Sequence, residues 1–389
     1  MKKIKINLNK EEKKKLIITG VIVLVVIIIL CIALYIGNSG FRTFFDRYIL
    51  RKEIASNNVT NIDISTLENP SIYAYNKYIT ILSKNKLITY SASGTKEYEH
   101  EILVSDAIYA SNNRFLAVAQ ENGQNLYVIS EANLLWQTEV EGEIQKINVN
   151  KNGYVSVIIS GSSYKTIIAT YSPTGKELFK TYLSTTIAID TSISNDNKYL
   201  GIAEINTSGT LIQSNIKIIS IEKAQNDPTN SVIYTHNAEA NKLITDIQYQ
   251  NQNKLAIQYD DGISILYEEK ESKLVSFQES KITFASIDLN NYSSYTTEKS
   301  TGLFSTKTQV VLRNNLTDKE NIYTADGTAK DIKTHSGNIA INLGSQVDFI
   351  NTNGWLIKKY VSEREIKDIV IAESIAGIVY KDKVEIANI

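Results

Sequence analysis

Acid–base, nucleophilic and metal sites are built mostly from histidine, cysteine and converging carboxylates, and these 389 residues offer few candidates. The three histidines, His100, His236 and His335, stand far apart, in neither a His-x-x-His nor a His-Glu-x-x-His spacing. No metal centre is expected from them. The segments SNDN (194–197) and YDDG (259–262) gather carboxylates and amides without the spacing of a calcium loop, so they read as turn chemistry. No Gly-x-Ser-x-Gly elbow, phosphate-binding loop or dinucleotide signature is present. Six aspartates belong to expected inner strands: Asp106, Asp190, Asp246, Asp288, Asp331 and Asp368. They fall at or near the starts of apolar-alternating segments, where acids cap turns or line a polar channel. Paired carboxylates in such a channel could cleave sugars, and a sequence does not show whether distant acids converge.

The elements that would position these acids are short strands. In one unit, KINVN (146–150), YVSVIIS (154–160), TIIATYS (166–172) and ELFKTYL (177–183) alternate with period two, with Asn152-Gly153 and Pro173-Thr174-Gly175 at two turns. A second unit repeats the layout in ITDIQYQ (244–250), KLAIQYD (254–260), ISILYEE (263–269) and KLVSFQE (273–279), with a hairpin at Asp260-Asp261-Gly262. Unit starts fall near Ser71, Asp106, Gln145, Ala188, Ile244, Phe284, Asp331 and Lys367. A period of about 42 residues matches one four-stranded propeller blade. The segment AQNDPTN (224–230) stretches blade four, and the polar SSYTTEKSTG (293–302) makes blade six the weakest.

After Lys367 only three strands remain, whereas NVTNIDIS (58–65) is a strand without a blade. An unpaired edge invites aggregation, so joining the two termini completes a blade and closes the ring. The fold class is therefore an all-β propeller; eight blades are preferred and seven are the alternative.

Upstream, Leu16 to Ile36 is an unbroken apolar run, long enough at about 1.5 Å per residue to cross a ~30 Å hydrocarbon layer as a helix. Lys2, Lys3, Lys5, Lys10, Lys13, Lys14 and Lys15 precede it, so the tail should stay in the cytoplasm and the rest should be exported. A cleaved signal peptide would have a shorter apolar core and a small-x-small site, which Tyr35-Ile36-Gly37 does not supply. A lipoprotein signal would place a small residue before the cysteine, but Leu30 precedes Cys31. Phe41, Phe44, Phe45, Tyr48 and Ile49 recur at helical spacing, as in a short amphipathic helix at the membrane surface. The expected organisation is a basic tail at 1–15, a span at 16–36, a linker at 37–57 and a propeller at 58–389. Cys31, the one cysteine, lies in the span, which excludes disulfides and thiol chemistry in the exported part. With 41 basic and 42 acidic residues and no basic stripe past the tail, nucleic acid is not an expected partner.

The outer segments SGTKEYEHEI (93–102), ANLLWQTEV (132–140), PTGKELFKTYL (173–183) and TNGWLIKKYV (352–361) resemble the Gly-x-x-x-aromatic strands of PQQ-like propellers. SNNRFLAVA (111–119) and SNDNKYLGIA (194–203) resemble the inner turns of WD40-like and other propellers. The resemblance implies that Tyr98, Trp136, Phe179 and Trp355, the last displaced toward its glycine, pack between blades. With the N-terminal span, the whole is similar to an uncharacterised single-pass membrane-anchored β-propeller family of clostridia-like bacteria, which carries no activity to transfer. The adjacent cysteine pair that some PQQ enzymes use is missing, and no cofactor is expected. Polar residues concentrate in turns, where rigid β scaffolds present binding groups. The expected function is therefore a non-catalytic binding or scaffolding module at the cell envelope, with a protein or glycan partner and the lipid bilayer as anchor surface. The alternative is an envelope hydrolase acting on glycan or peptide in the propeller channel.

Overall fold

The computed structural model describes residues 10–37, positions 41, 45 and 49, and residues 59–389 except 162, 210, 278–281 and 301–305. The lysines before residue 10, most of the expected amphipathic helix and the end of the 293–302 segment lie outside the described residues. The chain forms two compact units, Met1–Ala55 and Ser56–Ile389.

In the first unit, helix α1 (Lys10–Gly37) contains one window, Ile18–Tyr35, long and apolar enough to cross a membrane. Its described side chains are open all round, Ile29 at 61% and Leu24 at 58% exposure. By length and composition, a membrane anchor and a signal sequence both present such an apolar surface.

The second unit is an eight-bladed propeller of four-stranded antiparallel sheets. The innermost strands are β2 (Ser71–Tyr75), β6 (Ala107–Asn112), β10 (Glu143–Val149), β14 (Ile187–Ile193), β18 (Ile244–Tyr249), β22 (Ile282–Leu289), β26 (Asp331–His335) and β30 (Asp368–Ile371). Each starts within two residues of its expected position. The last blade runs β1 (Thr60–Asp63), β32 (Lys383–Asn388), β31 (Ile375–Val379), β30. Ile62 pairs with Val384 and Thr60 with Ile386, so the N-terminal strand supplies the outer edge that the C-terminal remainder lacks.

Among the described residues, eight buried apolar clusters hold the ring, one at each seam between successive blades. The cluster at the closure joins Ile62, Val384 and Ile386 of blade eight to Ala74, Ile79 and Ile81 of blade one. Burial at about 25 cal/mol per Å² of apolar surface favours this arrangement, and every seam uses β-branched residues that suit a pleated surface.

Three segments differ from expectation. Residues 221–230 form helix α2 (Ile221–Asn226), capped by the Ser220 side chain, followed by a 3₁₀ turn at Pro228–Asn230. The polar segment of blade six lies mostly in a long strand, Tyr292–Ser300, with Ser293, Ser294 and Thr296 buried in the sheet. Tyr and Thr favour the strand, and the buried Ser293 and Thr296 hydroxyls are hydrogen-bonded to Asn315 Nδ2 and Thr283 Oγ1. In blade five, β20 (Gly262–Tyr267) turns at Glu268-Glu269 into β21 (Lys270–Ser276), three residues earlier than apolar patterning alone indicates.

Candidate functional site

The inner strands enclose an axial cavity of about 410 Å³. Strands β2 and β6 give it an apolar arc, Ile72, Ala74 and Ala110, with the Tyr109 ring set against Tyr73 at 4.3 Å between centroids. The remaining strands contribute charge. Successive side chains of a strand point to opposite faces, so alternate residues of each inner strand reach the lumen.

On β10, β14 and β18, Lys146, Asp190 and Asp246 converge. Lys146 Nζ lies 2.7 Å from Asp190 Oδ1, and Asp190 Oδ2 accepts a hydrogen bond from the Ile247 backbone N–H at 3.0 Å. Asp190 is fully buried, in the middle of its strand rather than near its start. Asp246 is hydrogen-bonded to Asp190, and burial, that bond and the neighbouring negative charge raise its pKa well above the usual carboxylate range. Burial pulls the Lys146 ammonium down, but the two carboxylates outweigh it and hold Lys146 charged.

Opposite stands a second group. His335 is buried at 7% exposure, with Nε2 3.4 Å from Glu373 Oε1 and Nδ1 3.8 Å from Asp288 Oδ2. Burial opposes its proton, yet the two carboxylates raise the imidazole above its ordinary value. Burial pulls the Glu373 carboxyl upward, but the hydrogen bond from His335 holds it below its ordinary value. Asp288 sits at the end of β22, opens to the lumen and accepts from Gln248 Nε2 at 3.2 Å; enclosure by protein raises its pKa. Lys333 bridges Asp331 at 3.2 Å and Asp368 at 3.4 Å. Asp190, Asp246, Asp288 and Asp368 therefore line the cavity, Asp331 reaches it through Lys333, and Asp106 is exposed outside it. Among the described residues, no group of three or more His, Cys, Asp or Glu has the geometry to hold a metal ion.

The rim is a belt of turns that bond to one another around the ring. Asn150 Nδ2 donates to Asn197 Oδ1 at 2.7 Å, Asn253 Nδ2 to Asp196 Oδ2 at 2.9 Å, and Asn290 Nδ2 to the Ser336 carbonyl at 3.0 Å. Asn tolerates the left-handed conformation such turns need: Asn113, Asn197 and Asn290 have φ of 51°, 62° and 58°. The SNDN segment serves this belt. A mouth cavity of about 430 Å³ opens among these turns, lined in part by Lys151, Asn291 and Glu373.

The outer strands carry a second recurring device. A β-bulge near the turn sets Tyr98, Trp136, Phe179 and Tyr234 at equivalent register, opposite Thr89, Val128, Thr170 and Ile218. Trp136 Nε1 donates to the Pro173 carbonyl of the next blade at 3.1 Å, and Tyr234 Oη donates to the Glu269 carbonyl at 3.1 Å. Phe179 is buried against Leu200 and Ile219 of blade four. Tyr98 is 40% exposed and stacks on His100, whose Nε2 is 3.1 Å from the Ala132 carbonyl. Trp355 is 46% exposed at the end of its turn; Lys358 takes the register position and donates to the Asn388 carbonyl at 3.1 Å. Sequence reasoning missed Tyr234 because the α2 connection that precedes it carries no glycine to mark the Gly-x-x-x-aromatic pattern. It missed the grouping of Lys146, Lys333 and His335 with the acids, because their partners stand on other strands and leave no spacing to read.

Fold and lumen together define an eight-bladed β-propeller with a charge-lined axial cavity. The family described as "Family of unknown function (DUF5711)" matches residues 51–389, and the chain belongs to it. No curated protein sequence matches the chain. Among solved structures, BamB from Moraxella catarrhalis is 12% identical at a TM-score of 0.46, covering 85% of this chain and 99% of its own. Apo AztD from Citrobacter koseri is 10% identical at 0.47, covering 76% and 86%. Chaetomium thermophilum Sqt1, bound to the N-terminus of the ribosomal protein L10, is 11% identical at 0.51, covering 82% and 97%. At these identities the likeness is one of fold.

Proposed function

We propose that this protein is a membrane-anchored, extracytoplasmic binding module that holds an envelope protein or glycan without chemical turnover. In this reading residues 1–15 stay in the cytoplasm, 16–36 cross the bilayer, 37–57 link, and 58–389 are exported. The observation that carries it is the lumen. Six inner strands aim charged groups into one cavity of about 410 Å³, pre-positioned by strands that the ring locks in place. Pre-formed concave sites with a few convergent polar groups are what binding requires.

Two experiments test it. Protease added to intact protoplasts should degrade the propeller; a protected propeller refutes export, and its release into the medium refutes the anchor. Cross-linking in envelopes should capture a partner with the parent protein and lose it with Asp288→Asn combined with Lys333→Met. Equal capture by that variant would remove the cavity from the account. A hydrolase reading rests on one observation, the Asp190–Asp246 pair in which burial and the neighbouring acid raise the Asp246 pKa, since a carboxyl of raised pKa beside a second carboxyl is what glycoside cleavage uses. Release of sugar or peptide from envelope polymers, abolished by Asp190→Asn and Asp246→Asn, would establish it.

A further inference from the structure

A second cavity, away from the lumen, lies at the seam between blades four and five. Most blades join their third and fourth strands by a short turn. Blade four instead joins Gln213–Ser220 to Val232–Asn237 through α2 and the 3₁₀ turn, whose Ile221 and Ala224 pack toward blade three, and the seam on the blade's other side opens into a cleft of about 430 Å³. That volume falls within the roughly 300–1,000 Å³ of small-ligand sites.

Its lining is distinctive. Tyr199 and Tyr234 come from blade four, Tyr249 and Tyr267 from blade five. Tyr234 and Tyr249 also serve seam packing, as Trp136 does elsewhere. Tyr267 is 39% exposed, and Lys254 Nζ braces it 5.7 Å from the ring centroid. Ile233, the residue left unpaired by the bulge, is 42% exposed and turned into the same cleft.

Every other polar side chain lining the cleft is a planar amide or carboxylate: Gln252, Asn253, Glu268 and Glu269. Glu268 and Glu269 form the two-residue β20–β21 turn at φ of 48° and 63°, a conformation that favours Asn or Gly, yet glutamates stand there. Aromatic faces suit the apolar C–H faces of sugar rings, and planar amides and carboxylates match pairs of neighbouring hydroxyls. The charged groups among the lining residues are the two glutamates, and with the Lys254 ammonium at the Tyr267 ring they leave a net negative charge that complements a cation.

We infer that this cleft is an oligosaccharide site that prefers amine-bearing sugars. Tyr267 supplies the stacking surface, Gln252 and Asn253 meet hydroxyls, and Glu268 and Glu269 meet the ammonium. The site is independent of the axial cavity.

Full-length protein in lipid nanodiscs, free of sugar detergents, is titrated calorimetrically with the glucosamine trisaccharide, its N-acetylated counterpart, cellotriose and a lysine–leucine peptide. The glucosamine trisaccharide should bind most tightly. Tyr267→Ala should weaken it roughly tenfold, an aromatic contact of ordinary size, and Tyr267→Phe should restore it. Glu268→Gln with Glu269→Gln should erase the preference over the N-acetylated sugar, and Arg114→Ala, at an exposed ion pair on blade two, should leave affinity unchanged. No heat with any sugar, binding indifferent to Tyr267→Ala, or tighter binding of the peptide overturns the inference. None of these results bears on capture through the axial cavity.

Discussion

Blade four carries two fully buried carboxylates in very different settings. Glu204 lies inside the sheet, where Thr186 Oγ1 donates at 2.8 Å, Asn215 Nδ2 donates closely, and Lys217 Nζ pairs at 2.9 Å. Asp190, one strand inward, has Lys146 and one backbone N–H, and shares a hydrogen bond with a second acid. The first arrangement satisfies a charge and closes around it. The second assembles acids that repel one another beside an open cavity, where a ligand can change the balance. Buried polar networks stabilise when complete; an incomplete one facing a cavity signals use rather than support.

That contrast is open to measurement. Glu204→Ala strands the Lys217 ammonium and two donors, so it should cost the most, about 3 kcal/mol in urea unfolding. A loss below about 1 kcal/mol would erase the distinction. Asp190→Asn should cost less, about 1 kcal/mol, because Lys146 reaches lumen water when its partner is neutral. Equal losses for the two variants would make Asp190 a second structural network.

The pH dependence sharpens the comparison further. Asp246 has a folded pKa raised above its unfolded 3.8, so the folded state holds the proton more tightly. Stability from this group is full below about pH 4 and lost as pH rises through the folded value. Asp246→Asn removes that loss, so thermal melts from pH 4 to 8 should show the variant gaining on the parent as pH rises. Parallel melting curves would mean that the pair does not share its proton. The smallest effect concerns the opposite wall. His335 is raised above 6.5, giving stability present below that value and lost as pH rises through the folded one. In NMR titrations, Glu373→Gln should lower the His335 midpoint; an unchanged midpoint would detach Glu373 from the group.

Much of this was legible in advance. Alternation, Asn-Gly and Asp-Gly turns and a period near one blade length place all eight inner strands, because strand patterning and turn chemistry are local. The orphan strand at 58–65 and the three-stranded remainder announce the closure seen between Thr60–Asp63 and Lys383–Ile386. Blade six was harder to read, because Ser293, Ser294 and Thr296 are polar by type and buried by position. The acids were visible one at a time, and their convergence was not.

The sequence alone determined what each short stretch does: an apolar helix at Ile18–Tyr35, strands that alternate, turns where Asn and Gly accept positive φ. These follow from interactions between near neighbours in the chain. Only the tertiary structure decided that Lys146, Asp190 and Asp246 meet, and that His335 stands between Asp288 and Glu373. It also decided that a tyrosine-lined cleft opens at the seam between blades four and five. Each of those groupings draws single residues from different blades, and the closing of the ring sets their separations.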